Sequence, residues 1–180
     1  MKKLKKIDKI AIKLTDAFVK NRTMSAIPTK FTKNIKEAEK LRLICESKIN
    51  WPIIGFKAGG TSIPLLKKLG EKEPFYASVF KKNFLSNGKK VKINKSTLGI
   101  ELEVCFLIKK SFFNLKKIIS SNKIPKYISH MAPCIEIVGY RQRKKGVKYL
   151  GDLCSDFGGN VKFLIGSKKK FKKLKFNNLK

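Results

Sequence analysis

Residues 98–108 read LGIELEVCFLI, and residues 134–140 read CIEIVGY. Both are short apolar runs rich in β-branched residues, which marks them as strands. Side chains alternate along a strand, so Glu101 and Glu103 share one face while Ile100, Leu102 and Val104 share the other. Glu136 sits in the second run, between Ile135 and Ile137. Two carboxylates on one face repel each other unless something positive lies between them. If both strands join one sheet, three carboxylates converge. That oxygen-rich set suits a hard divalent cation such as Mg²⁺ or Mn²⁺. The same pattern suits a solvated strand face on which each Glu pairs with a lysine, and spacing alone leaves both readings open.

Outward from these strands, the chain opens on helical periodicity. Leu4, Ile7, Ile10, Ala11, Leu14 and Phe18 recur at spacings of three and four, which predicts an amphipathic helix over residues 3–20. A second helix is expected over 32–46, with Ile35, Ala38, Leu41, Ile44 and Cys45 on its inner face. WPIIGFK (51–57) reads as a strand ending at Lys57. It enters Ala-Gly-Gly-Thr-Ser, where backbone N–H groups of residues 59–62 are available to an anion. A short helix follows over 63–69 and stops at Gly70. Asn87-Gly88 between FL (84–85) and VKI (91–93) predicts a hairpin. A helix over 113–120 and a strand over 161–165 complete the pattern. The fold class is therefore α+β: a helical segment over 1–50, a mainly β core over 51–166, and a basic tail over 167–180.

The charge is extreme, with 43 Lys+Arg against 12 Asp+Glu and a net +31. Only Arg22, Arg42, Arg141 and Arg143 are Arg. Specific nucleic-acid readout leans on the bidentate Arg fork, and the lysines are spread along the chain, so nucleic acid is a less favoured partner than the number suggests. Lys, Ile, Asn and Phe share A/T-rich codons, which accounts for the excess as a coding bias. Cys45, Cys105, Cys134 and Cys154 form no C-x-x-C pair and His130 is the sole histidine, so a Cys/His zinc site lacks its spacing. The cysteines read as reduced core residues of a cytoplasmic protein. No apolar run approaches the ~18 residues of a membrane span, and the Lys-interrupted N-terminus makes a poor secretory signal. The seven lysines of the tail mark it as a candidate for anionic lipid or RNA, and a solvated terminus is its default reading.

The ordered set GFKAGGTS, LKKLGEKEPFYASVF, NGKKVKI, GIELEVCF, CIEIVGYR and SDFGGNVKFLIG resembles the 2-keto-4-pentenoate hydratase family. That family belongs to the fumarylacetoacetate hydrolase superfamily and includes the related oxalocrotonate decarboxylases. The resemblance runs from about residue 15 to 166. It implies a mixed, mainly β core of the fumarylacetoacetate-hydrolase C-terminal type behind a helical segment. It implies that Glu101, Glu103 and Glu136 bind Mg²⁺ or Mn²⁺, and that Lys57 helps in proton transfer or holds the substrate carboxylate. Thr61 and Ser62 take the place of the family's substrate-binding loop, and Asp156 matches an acid near its site, which the resemblance makes a catalytic residue beside Lys57. The implied chemistry is a lyase reaction in aromatic-compound catabolism. Water adds to a small 2-hydroxydienoate or 2-oxoalkenoate to give a 4-hydroxy-2-oxo acid. The implied assembly is a homo-oligomer.

The sequence departs from the family pattern at four places, one of them Gly158-Gly159-Asn160 in place of a Ser-Ser-Gly. Phe75 follows Pro74 where the family carries an acid, which bears on proton transfer. Phe157 stands where an Asn follows the Asp. The family continues for several tens of residues beyond the equivalent of Leu164-Ile165-Gly166, so an incomplete barrel with open sheet edges is expected unless the tail or a partner subunit covers them. A non-catalytic or truncated relative that binds nucleic acid or an anionic surface through its basic charge is the competing reading.

Overall fold

A computed structural model describes residues 5–86 and 88–172. Helix α1 (Lys6–Val19) turns Ala11, Leu14, Ala17 and Phe18 inward, as its spacing requires. Leu4 of the expected helix lies outside the described residues. Helix α2 (Ile35–Glu46) starts three residues later than its periodicity suggested, because Asn34 caps it: its Oδ1 accepts from the N–H groups of Lys36 (2.9 Å) and Glu37 (3.4 Å). The two helices bury Leu14, Phe18, Leu41 and Cys45 together with Phe80 and Phe157 from the later part of the chain. Each fully buried Leu or Phe contributes roughly 1.5–3 kcal/mol.

Strands β1 (Ile53–Gly59) and β2 (Phe75–Phe80) form an antiparallel ribbon, with Lys57 opposite Ala77 and Gly59 opposite Phe75. Helix α3 (Ile63–Leu69) lies between them and ends on Gly70, whose φ of 72° is the left-handed conformation of a helix C-cap. The second sheet runs in the order β3 (Phe84–Leu85), β6 (Asn160–Ile165), β5 (Ile128–Gly139), β4 (Thr97–Ile108), with β7 (Lys169–Lys170) beside β5. The long antiparallel pair β4–β5 is the spine of this sheet. It sets Glu101 opposite Glu136 and Glu103 opposite Cys134. Among the described residues the sheet does not close into a barrel, and β4 is its edge. Asn83 ties the sheet at its β3–β6 end, donating from Nδ2 to the Val161 carbonyl (2.7 Å).

Several expectations are corrected. Phe84–Leu85 forms no hairpin with 91–93. It pairs parallel to β6 instead, with the Phe84 ring stacked on Phe163 at 5.8 Å, because that contact buries an aromatic and the turn does not. Asn87 of the expected turn lies outside the described residues. The helix expected over 113–120 is one short turn, α4 (Lys110–Phe113), followed by irregular chain. Phe113 and Ile118 are 72% and 100% exposed, so their periodicity has no surface to pack against and a short helix is not sustained. Helix α5 (Leu150–Ser155) has little periodic signal in sequence. It is held by the Asp152 carboxylate, which accepts from the N–H groups of Lys148 (2.9 Å) and Tyr149 (3.0 Å). Residues 173–180 of the basic tail lie outside the described residues.

The two faces of β4 differ. Leu98, Ile100, Leu102, Val104, Phe106 and Ile108 all stand on the face opposite the glutamates and all are exposed, Leu102 by 82%. None of the described helices is long and apolar enough to cross a membrane.

Candidate functional site

The β4–β5 register places three carboxylates on one face, with oxygens from Glu101, Glu103 and Glu136 all within 4.8 Å of one another. Glu101 and Glu103 are exposed, and their carboxylates make no hydrogen bond or ion pair among the described residues. Glu136 is 1% exposed, walled by the ribbon and by Phe163 in the adjacent strand. Among the described residues the one cation that meets it is Lys57, which reaches from β1 to donate from Nζ at 2.7 Å. The four residues come from three strands, β1, β4 and β5, and the ion pair links the ribbon to the larger sheet.

The electrostatics follow from this arrangement. Burial pushes the Glu136 pKa up to about 7; Lys57 pulls it down, and Glu101 and Glu103 push it up again. One ammonium faces three carboxylates, so the cluster lacks positive charge. Cys134, opposite Glu103, stays a neutral thiol because burial raises its pKa to about 11. The donor set is therefore all oxygen, which fits a hard divalent cation and not a soft metal.

The other residues singled out from sequence lie outside this cluster's contacts. Ser62 Oγ accepts from the Leu65 N–H at 3.5 Å and caps α3. Thr61 is exposed, and its hydroxyl makes no hydrogen bond to a cluster residue among the described residues. The glycine pair before them is required by packing. A Cβ on Gly59 would sit 2.4 Å from the Phe75 ring, and one on Gly60 2.8 Å from Leu150. Asp156 is fully buried. Its carboxylate accepts from the Arg141 backbone N–H (2.6 Å) and from Arg141 Nη1 (3.1 Å). It reaches the cluster only through the next turn of chain. Gly158, at φ 68°, packs so closely that a Cβ there would stand 3.4 Å from Cδ of Lys57 and 2.7 Å from the Ala77 Cβ.

The two departures within that region are both core substitutions. The Phe75 ring is buried among Leu66, Ala77, Leu150 and Cys154, against Gly59 and Gly158. Phe157 stacks on Phe18 at 3.9 Å and holds a left-handed φ of 55°, uncommon for a bulky side chain. It clamps the helical segment to the turn behind Lys57.

Sequence reasoning missed the two buried arginines. Arg42 bonds Glu46 (2.8 Å) and Glu39 (3.2 Å), and Glu46 in turn accepts from the Ser78 N–H (3.1 Å) and Oγ (2.8 Å) on β2. Arg141 holds Asp156 and donates from Nη2 to the Asn160 carbonyl (2.6 Å). The signal was present: where lysine fills nearly every basic position, an Arg marks a place that needs a planar, several-armed donor in the interior.

No family model and no curated protein matches this sequence. Solved structures do. The chain is similar to 4-oxalocrotonate decarboxylase from Pseudomonas putida G7 complexed with magnesium and adipate. The TM-score is 0.75 at 16% identity, over 92% of this chain and 65% of that one. It is similar to the same enzyme complexed with calcium and acetate, with TM-score 0.74, 16% identity, and coverage of 92% and 64%. This chain thus spans about 65% of the length of the structure it matches. The likeness is one of fold: an α+β architecture with a mainly β core of the fumarylacetoacetate-hydrolase C-terminal type and an open sheet.

Proposed function

We propose that this protein is a divalent-metal-dependent lyase acting on a small 2-oxo or 2-hydroxy acid, and specifically a hydratase of 2-hydroxydienoates. The observation that carries the reading is the convergence of Glu101, Glu103 and Glu136 beside the single ammonium of Lys57. The neighbours' bound ligands support it, since each pairs a divalent cation with a carboxylate. Glu101, Glu103 and Glu136 would hold Mg²⁺ or Mn²⁺, which when bound supplies Lewis-acid polarisation of a carbonyl or carboxylate oxygen.

The chain's own residues supply the rest. Lys57 Nζ keeps one positive charge at the mouth of the cluster, where it orients a substrate carboxylate. It is also the group placed to carry a proton between substrate oxygen and carbon. Phe75 puts a buried ring where an acid would offer a second proton carrier, so that duty falls to Lys57. Thr61 and Ser62 are the proposed substrate-binding hydroxyls at the end of β1. Asp156 acts as a positioning residue, through Arg141 and the turn behind Lys57. Residues 51–166 carry the site and 1–50 brace it. Assembly into a homo-oligomer is supported by the uncovered apolar face of β4, and a cytoplasmic setting by four free cysteines.

The test is the ultraviolet absorbance of a 2-hydroxydienoate. The expected result is loss of absorbance that depends on Mn²⁺ or Mg²⁺ and disappears in Lys57→Met and Glu136→Gln. Persistent absorbance from protein that binds the metal contradicts the reading.

A further inference from the structure

The connection between β4 and β5 is a built projection. Lys109 N–H donates to the Tyr127 carbonyl (2.7 Å), Lys109 Nζ to the Lys126 carbonyl (2.7 Å), and the Phe112 and Tyr127 rings meet edge to face at 5.6 Å. These contacts close the base of the loop and use up its inward-facing aromatics. What the loop presents outward is apolar. Ile118 is fully exposed, Phe113 is 72% exposed and Ile124 39%. Around them stand Lys109, Lys110, Lys116, Lys117, Lys123 and Lys126, none of which makes an ion pair among the described residues. No Asp or Glu occurs between Glu103 and Glu136.

We propose that this β4–β5 tip is a docking site for an anionic lipid surface, with Phe113 and Ile118 entering the headgroup layer and the surrounding lysines facing the lipid phosphates. Apolar side chains ringed by unpaired lysines are what interfacial binding requires. Charge complementarity selects the partner. A second copy would bring the same lysines against these, whereas an anionic bilayer offers the opposite sign. A nucleic acid would meet the lysines but has no use for exposed isoleucines, and the tip carries no Arg for stacking. The inference stands apart from the lyase reading, since no cluster residue is involved.

The experiment is co-sedimentation of the full chain with vesicles of phosphatidylcholine, alone or mixed with phosphatidylglycerol, at low and high salt. Two variants isolate the two components: Phe113→Ser with Ile118→Ser keeps the charge, and Lys116→Gln with Lys117→Gln keeps the apolar groups. All four positions are exposed, so both variants should melt like the parent. The expected result is salt-sensitive binding to the mixed vesicles, little binding to phosphatidylcholine alone, and a loss of about tenfold or more in each variant. Unchanged vesicle binding in both variants would assign it to another surface and overturn the proposal. So would a serine variant that changes oligomeric size without changing vesicle binding, and so would tip-dependent binding to polyuridylate with none to vesicles.

Discussion

Two buried acid–base pairs, Asp156–Arg141 and Glu136–Lys57, have opposite characters. Asp156 meets Arg141 through a backbone N–H and a guanidinium nitrogen, and the same guanidinium also bonds a carbonyl in β6. The carboxylate and the guanidinium balance in charge, and only Arg141 Nε and Asn160 Oδ1 are left buried there without a partner among the described residues. Glu136 meets one Lys57 ammonium and shares its face with two further carboxylates that have no partner. The first pair has the properties of scaffold: a rigid, several-armed donor whose removal strands a charge in the core. The second has the properties of a site: a single point charge, a carboxylate whose pKa burial raises to about 7, and an unmet demand for cations. Burial alone does not separate them; the balance of charge does.

The contrast can be broken by substitution, and the largest effect is expected at the scaffold. Asp156→Ala leaves Arg141 buried and uncompensated. It should cost about 3–5 kcal/mol in denaturant unfolding, with or without divalent metal. A loss below about 1 kcal/mol would remove the distinction. The next effect is pH dependence. Glu136 has its folded pKa raised to about 7 from an ordinary 4.5, so the folded state holds the extra proton between those values. Stability of the metal-free protein should therefore fall as pH rises from about 4.5 through 7, by up to about 3 kcal/mol, and Glu136→Gln should flatten that slope. A slope that survives Glu136→Gln would place the titrating group elsewhere.

Lys57→Met should be milder than Asp156→Ala, at about 1–2 kcal/mol, because Glu136 can take up a proton and Asp156 is fixed by its partners. Divalent-metal affinity should hold or rise in that variant, while turnover is lost. A parallel loss of metal binding and turnover would contradict the division of labour between Lys57 and the carboxylates. Smallest of all, Ser62→Ala removes a long cap on a short helix. It should cost no more than about 0.5 kcal/mol in a thermal melt, with any larger effect confined to substrate affinity.

Much of the architecture was readable because it rests on local periodicity. The period-two run of β4, the helical spacing of α1 and α2, and the Gly70 stop of α3 each carry their own signal. The three glutamates were readable as candidates because acids are scarce here and strands alternate. What sequence could not supply was register. That Glu101 lies directly opposite Glu136 and that Lys57 crosses from the other sheet depend on how two sheets meet. The failures have the same origin. Residues 113–120 hold helical spacing but have nothing to pack on, and 84–93 hold a turn signal that the Phe84–Phe163 contact overrides. Helix α5 depends on one buried Asp152 and its three donors, Lys145, Lys148 and Tyr149, a contact set that no periodicity announces.

The proposed lyase stands on a divalent-cation site formed by three carboxylates beside one lysine. Titration calorimetry of Mn²⁺ into the parent protein and into Glu101→Gln and Glu136→Gln, above pH 7, tests it most directly. The account predicts a single class of site in the parent, weakened at least about tenfold in each variant while both remain folded, with proton release on binding as the pH is lowered toward 7. No binding to the parent, or equal binding to all three proteins, would contradict it.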